Sequence, residues 1–152
     1  ADGADLTLTP LGDPESGELI DRVVASAPQV DRWRIHARRQ RRELPIALDL
    51  VKLFHAVDLA NARLKVSPRG DRFHVEFVHP TLAGRDGDER LAIAGTFFDY
   101  ALGEQVTMDF VDEPTFAQQG DAVDLGLAIG QLIRETSAAL GGTGKNVDRP
   151  RP

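Results

Sequence analysis

The chain has 152 residues, no cysteine and a formal net charge of −6. The lack of cysteine excludes disulfide frameworks, thiol nucleophiles, iron–sulfur clusters and cysteine-based zinc sites. This length suits one domain with an ordinary apolar core. No apolar run approaches the roughly 18 residues of a membrane-spanning helix, and no signal-peptide pattern is present, so we expect a cytoplasmic protein that does not contact a membrane.

The N-terminal part of the chain has the pattern strand, helix, strand. Leu6 and Leu8 alternate with polar residues, which predicts a strand over residues 5–9. Asp13-Pro14 then supplies an N-cap residue and a proline for the first helical position. Apolar residues at helical spacing predict a helix with one buried face: Leu19, Ile20, Val23, Val24 and Ala27. Such a helix is long enough to connect two parallel strands.

The middle of the chain contains one ambiguous segment and one hairpin. Residues 44–57 satisfy both the alternation of a strand and the spacing of a helix, and we interpret them as a strand. Residues 62–66 and 72–79 flank Ser67-Pro68-Arg69-Gly70-Asp71, whose proline and glycine are typical of a hairpin turn.

The second half begins with a helix that the acidic, glycine-containing residues 83–89 cap and that stops at Gly103. Residues 105–111 alternate and predict a strand, with Val106, Met108 and Phe110 facing inward. Residues 124–140 predict a terminal helix packed on its own domain. We expect residues 141–152 to form a disordered tail.

These elements predict a single α+β domain over residues 1–140. We expect a mostly antiparallel sheet with helices packed on one face, in a split β-α-β arrangement related to the ferredoxin-like fold.

The most distinctive feature is a segment, residues 32–42, that contains six arginines in an acidic protein. Alternation places Trp33, Ile35 and Ala37 on the core face of a strand, and Arg32, Arg34, His36 and Arg38 on the opposite face. One interpretation is a solvated strand face whose arginines pair with carboxylates on neighbouring strands, such as Asp109. The other is a surface that binds anions.

The sequence lacks the common catalytic and metal-binding motifs. Gly141-Gly142-Thr143-Gly144-Lys145 lacks the strand and helix of a phosphate-binding loop, and Asp86-Gly87-Asp88-Glu89 is too short for a calcium loop. His74 and His79 fall on opposite faces of one strand and cannot share a metal. We therefore expect no metal site and no cofactor.

Two catalytic hypotheses stay open. His36 beside arginines could be a neutral base that works with a nearby carboxylate. Asp99 and Glu104 could form a carboxylate pair, but Gly103 lies between them and the sequence does not give their separation.

The proline-started helix, the Trp33-led strand and Phe97-Phe98-Asp99-Tyr100-Ala101-Leu102-Gly103-Glu104 together resemble a family of small bacterial α+β proteins of unknown function. The resemblance covers residues 6–116. It implies no catalytic residue, because that family has no agreed activity.

We predict a non-enzymatic protein-interaction or regulatory module that binds another protein, or a second copy of itself as a homodimer. The predicted contact residues share the basic segment: Arg34, His36, Arg38, Arg39, Arg41 and Arg42. One alternative is a small hydrolase or isomerase that uses His36 and a carboxylate. Another is an anion or nucleic-acid binder, which the acidic remainder of the chain and its single Trp and Tyr disfavour.

Overall fold

The computed structural model describes residues 3–142, which form a mixed α+β fold, as predicted. Its elements in chain order are β1 (Ala4–Thr7), α1 (Pro14–Ser26), β2 (Trp33–His36), α2 (Leu44–His55), β3 (Arg63–Arg69), β4 (Arg72–Val78), α3 (Pro80–Ala83), α4 (Gly87–Ala101), α5 (Glu104–Phe110), β5 (Thr115–Ala117), β6 (Val123–Asp124) and α6 (Leu125–Gly142). β1 and β2 form one sheet, and the other strands form a second sheet in the order β5-β4-β3-β6.

The strand-helix-strand prediction for the N-terminal unit, residues 4–36, is confirmed. The Asp13 side chain accepts hydrogen bonds from the first backbone N–H groups of α1, and Pro14 opens the helix. β1 and β2 then pair directly in parallel, with Leu6 opposite Ile35. Because no strand lies between them, the ferredoxin-like split arrangement is not confirmed.

The predicted buried face of α1 is wrong. Gly17 is the buried residue of this helix, whereas Leu19 and Val23 are about half exposed. No residue of the N-terminal unit belongs to the hydrophobic core of the described residues, which begins at Ala47. The helical spacing is correct, but the other described residues cover the apolar side only in part, since Ile20, Val24 and Ala27 are half-buried.

The strand interpretation of residues 44–57 is wrong, because Leu44–His55 form α2. Pro45 lies at the start, where a helix tolerates proline, and Ala47 and Val51 are buried one turn apart. The helix ends at Ala56, which has φ 54° and adopts the left-handed conformation. Helical spacing therefore prevails over alternation, since Ala47 and Val51 are buried whereas Ile46, which belongs to the alternating set, is 47% exposed.

The hairpin prediction is confirmed with a tighter turn. β3 and β4 pair antiparallel from Arg63 opposite Val78 to Arg69 opposite Arg72, and Gly70 provides the positive φ of 64°. The residues from Ser67 to Arg69, predicted as turn, belong to β3. His79, predicted at the strand end, instead caps α3 through its Nδ1 atom.

The larger sheet is mostly antiparallel, as predicted, and has one apolar face. β3 pairs antiparallel with β4 and β6, while β5 pairs parallel with β4. On one face Leu64 lies opposite Phe77 in the β3–β4 ladder, and both are fully buried. On the other face Lys65 is exposed opposite Glu76. This asymmetry matches the prediction of helices on one face.

The predicted strand at residues 105–111 is also wrong, because Glu104–Phe110 form the short helix α5. The Arg72 guanidinium donates hydrogen bonds to the carbonyl oxygens of Met108, Asp109 and Val111 at 2.6–3.0 Å. These bonds satisfy carbonyls that a helix end leaves without partners. An interaction distant in sequence therefore stabilises a helix where local alternation indicates a strand.

The core is centred on three phenylalanines. Phe77 of β4 lies 5.7 Å from Phe97 and 5.3 Å from Phe98 of α4, measured between ring centroids. α6 packs on this core through buried residues such as Leu125 and Leu132, which confirms the predicted terminal helix. It extends through residues 141–142, which had been assigned to the tail; the remaining tail residues lie outside the described part of the chain.

We expect Phe77→Ala to lower the free energy of unfolding by about 3–5 kcal/mol, because it removes a fully buried aromatic ring and leaves a cavity. Leu53→Ala is the control, since Leu53 is 74% exposed, and its effect should stay within about 0.5 kcal/mol. Urea unfolding measures both. Equal effects of the two substitutions would contradict the assignment of the core.

Candidate functional site

The arginine segment, residues 32–42, begins at the residue before β2, runs through that strand and continues into the connection to α2. Arg34 and His36 share one strand face, as predicted, because both contact the Asp5 carboxylate on β1. Arg34 Nε lies 2.9 Å from Asp5 Oδ1 and its Nη2 donates to Oδ2 at 3.0 Å. His36 Nε2 lies 2.9 Å from Oδ1. These hydrogen bonds lower the pKa of Asp5, and the one with His36 has the largest effect.

Arg38 links the segment to helix α1. Its Nη1 and Nη2 atoms donate to the two carboxylate oxygens of Asp21 at 2.5 and 3.0 Å. The Arg38 side chain is only 17% exposed. A Cβ at Gly17 would lie 3.1 Å from Arg38 Nη2, so the lack of a side chain there leaves room for the guanidinium. Arg38 therefore holds α1 against the segment and is not free to bind a partner.

Arg39 contributes to the contact with α4 and α5. Its Nη1 donates to Asp99 Oδ2 at 2.9 Å, and its guanidinium carbon lies 5.4 Å from the centre of the Tyr100 ring. Its backbone N–H donates to Glu104 Oε2 at 3.0 Å. Arg39 is therefore also paired within the chain.

Arg41 and Arg42 are, with Arg34, the exposed arginines of the predicted site. Within residues 3–142, neither guanidinium takes part in an ion pair. The Arg42 backbone N–H donates to the Tyr100 carbonyl oxygen at 2.7 Å, which fixes the chain beside the end of α4. Of the predicted contact residues, these two have the most freely available charge.

The predicted pairing of the arginine face with Asp109 is wrong. Asp109 lies on α5 and accepts hydrogen bonds from Gln105 at 2.8 and 2.9 Å. The actual partners are Asp5, Asp21 and Asp99, which come from three different elements. Asp5 lies on β1 beside β2, so for Arg34 the predicted pairing with a neighbouring strand is confirmed. Asp21 and Asp99 lie on α1 and α4, where tertiary packing places them, so strand alternation could not identify them.

A buried carboxylate cluster, which we define as Asp99 and Glu104 with their partners Arg39 and Thr9, lies where the N-terminal unit meets the core. Glu104 is 1% exposed and accepts a hydrogen bond from Thr9 Oγ1 at 2.5 Å in addition to that from the Arg39 N–H. The Glu104 N–H in turn donates to the Arg39 carbonyl oxygen at 3.0 Å. The two carboxylates that sequence reasoning considered as a pair thus meet at Arg39.

Asp99 has an unusual protonation equilibrium. Its burial, together with the nearby negative charge of Glu104, raises the pKa of Asp99 to about 6, although Arg39 acts in the opposite direction. No pattern in the sequence indicates Thr9 or Arg39 as partners of these carboxylates. Gly103, which has a φ of 94°, is the sequence feature that indicates a sharp change of direction of the chain between Asp99 and Glu104.

Trp33 was predicted in the core, and this prediction is wrong, because Trp33 is 51% exposed. It lines an open groove of about 650 Å³ between the end of α1, the following loop and β2. Ile35, on the same strand face, also lines this groove. His36 alternates to the opposite face, where it meets Asp5. The groove therefore presents Trp33 and Ile35 beside polar residues such as Gln29 and Asp31, and no histidine from β2.

The other histidines have structural partners. His55 Nε2 lies 2.9 Å from Thr96 Oγ1, and His74 Nε2 lies 3.0 Å from Thr115 Oγ1. His79 caps α3, and burial lowers its pKa despite the charge of Asp58. In the described ranges, no group of three or more His, Asp or Glu side chains is placed to hold a metal ion. The residues of the Gly141–Lys145 motif beyond 142 lie outside them.

No protein-family model, curated protein or solved structure matches the chain. The resemblance to small bacterial proteins of unknown function therefore stays a prediction. In the part of the chain that the structure describes, no helix is long and apolar enough to cross a membrane. Function is accordingly inferred from the geometry.

The raised pKa of Asp99 predicts a pH-dependent stability. Between its unfolded value near 3.8 and its folded value of about 6, the folded chain binds more protons, so its stability decreases as the pH rises. From about pH 5 to pH 7.5, we expect the free energy of unfolding of the wild type, relative to Asp99→Asn, to fall by about 1 kcal/mol. Urea unfolding at each pH measures the difference.

Asp21→Asn is the matched control. Its hydrogen bond with Arg38 lowers the pKa of Asp21, so this carboxylate is ionised in both states throughout the same pH range. The difference between wild type and Asp21→Asn should therefore be flat there. A flat profile for Asp99→Asn as well would contradict the assigned environment of Asp99.

Proposed function

We propose that the chain is a non-enzymatic protein-interaction module that binds a partner protein through its N-terminal unit and the adjoining arginine segment. The observation that carries this proposal is the incomplete burial of that unit. Of the twelve large apolar side chains that are exposed within residues 3–142, six belong to it: Leu6, Leu11, Leu19, Val23, Val30 and Trp33. Such a concentration of apolar surface is typical of interaction sites.

The geometry of the unit suits a protein partner. Trp33 is half exposed beside a groove, and tryptophan is among the residues that contribute most to binding free energy when a partner buries them. β1 and β2 are also both edge strands, since their sheet contains two strands in the described residues. Edge strands offer backbone N–H and C=O groups to an incoming chain.

Charge favours an acidic partner. Arg41 and Arg42 are exposed beyond the end of β2, and the Arg34 side chain is 70% exposed although it pairs with Asp5. A symmetric homodimer through this surface would place the same arginines near each other, which opposes self-association. A different protein with carboxylates around an apolar contact avoids this repulsion.

The alternatives have less support. Arg34, Arg38 and Arg39 pair with carboxylates of the chain, so fewer cations are left for the phosphates of a nucleic acid. His36 has the carboxylate partner that a hydrolase or isomerase would need, but the groove beside β2 is lined by the opposite strand face. Both alternatives remain predictions from the sequence.

We expect Trp33→Ser to reduce the recovery of the partner from a cell lysate by about tenfold, because the substitution removes the largest apolar contact of the surface. Arg41→Glu combined with Arg42→Glu should do the same through charge repulsion. Affinity capture with quantitative mass spectrometry measures the recovery at low and moderate salt.

Two variants control for general loss of surface contacts. Leu53→Ser removes an apolar side chain that is 74% exposed on α2, and Lys65→Glu reverses a charge on the far side of the larger sheet. Neither should change the recovery. A protein recovered equally with all four variants would contradict the N-terminal unit as the binding surface. Concentration-dependent dimerisation that Trp33→Ser abolishes would identify a second copy of the chain as the partner.

A further inference from the structure

A second recess lies at the seam between the N-terminal unit and the core, away from the Trp33 groove. This seam cavity has a volume of about 410 Å³. Leu11 and Pro14 contribute from the start of α1, and Leu91, Phe98 and Met108 contribute from α4 and α5. Small-molecule sites commonly have volumes of about 300–1,000 Å³ and mainly apolar linings. The seam cavity meets both conditions.

Asp99 is the recessed acceptor of this cavity. Its side chain is 14% exposed and lines the wall, and Oδ2 accepts the hydrogen bond from Arg39. Oδ1 accepts no hydrogen bond from the described residues. Arg72 lines the same cavity, but all three of its guanidinium nitrogens already donate to Asp112 or to the end of α5. A bound molecule would therefore find a free acceptor and no free guanidinium donor.

The charges of the lining favour a cation. Asp99, Asp112 and Glu113 contribute three carboxylates, whereas Arg72 contributes one guanidinium that is paired with Asp112. An ammonium group can donate to Asp99 Oδ1 while its organic part contacts the apolar wall. A carboxylate or phosphate would meet repulsion at the same position.

Gly95 on α4 gives an independent indication that the space is open. Glycine is unfavourable inside a helix, and here no packing contact requires it, because an added Cβ would have no other heavy atom within 4 Å. Gly95 lines the seam cavity, so a larger residue there would occupy the space in question. The position is thus a natural place to block the cavity.

We propose that the seam cavity binds a small primary amine with an apolar body, whose ammonium group is held by Asp99. This site lies away from the Trp33 groove, shares only Leu11 with the proposed protein-binding surface, and does not depend on that proposal. Its occupant is an alkyl or arylalkyl ammonium ion. The Arg39 side chain fixes the other carboxylate oxygen and so orients the acceptor.

The test uses 2-phenylethylamine as the probe and 2-phenylethanol as its uncharged counterpart. Met108 is the one methionine of the chain and lines the cavity, so its methyl group can report occupancy by NMR. We expect a saturable shift with the amine and an affinity for the alcohol that is weaker by roughly tenfold, because the alcohol lacks the charge-assisted hydrogen bond. No saturable shift at millimolar amine, or equal affinities, would overturn the proposal.

Three variants locate the site. Asp99→Asn should remove the preference for the amine, whereas Glu113→Gln, which changes an exposed lining carboxylate, should keep it. Gly95→Leu should abolish binding of both probes by filling the cavity. Circular dichroism checks the fold of each variant; if Asp99→Asn does not fold, the two probes on the wild type and on Gly95→Leu decide. An amine preference that survives Asp99→Asn, or amine binding that survives Gly95→Leu, would place the ligand elsewhere.

Discussion

The buried hydrogen bonds of Glu104 join the two parts of this molecule. A carboxylate that is 1% exposed is stable only if its oxygens accept hydrogen bonds, and the donors come from Thr9 and from the backbone of Arg39. Thr9 follows β1 and Arg39 follows β2, so the ends of both strands meet at the first residue of α5. The orientation of the whole N-terminal unit on the core depends on this contact.

The same contact explains why the arginine segment is not a uniform cationic surface. Once Arg39 is held at Glu104, its side chain pairs with Asp99, and Arg38 turns to Asp21 on α1. These arginines become internal connections between elements. Charge that is available to a partner lies at the ends of the segment, with Arg41 and Arg42 at one of them. The six arginines within these eleven residues therefore have two roles: some connect elements of the chain, and others present charge to a partner.

Polar contacts hold the N-terminal unit against the core, and burial of apolar side chains contributes little. It contributes no residue to the hydrophobic core within residues 3–142, and Gly17 is the buried residue of its helix. Ion pairs and hydrogen bonds position the unit, while six of its large apolar side chains stay 43–74% exposed. A partner protein could bury that surface, and the seam between unit and core leaves the cavity beside Asp99.

The sequence by itself determined the features that depend on neighbouring residues: the Asp13-Pro14 helix start, the strands on either side of that helix, the β3–β4 hairpin and the terminal helix. Only the tertiary structure decided whether residues 44–55 and 104–110 are helices, because their apolar spacing fits two conformations and distant contacts select one. It also exposed Trp33 and brought Asp99 to Arg39. Periodicity gives the face of an element, but burial and ion pairing depend on what the rest of the chain places against that face.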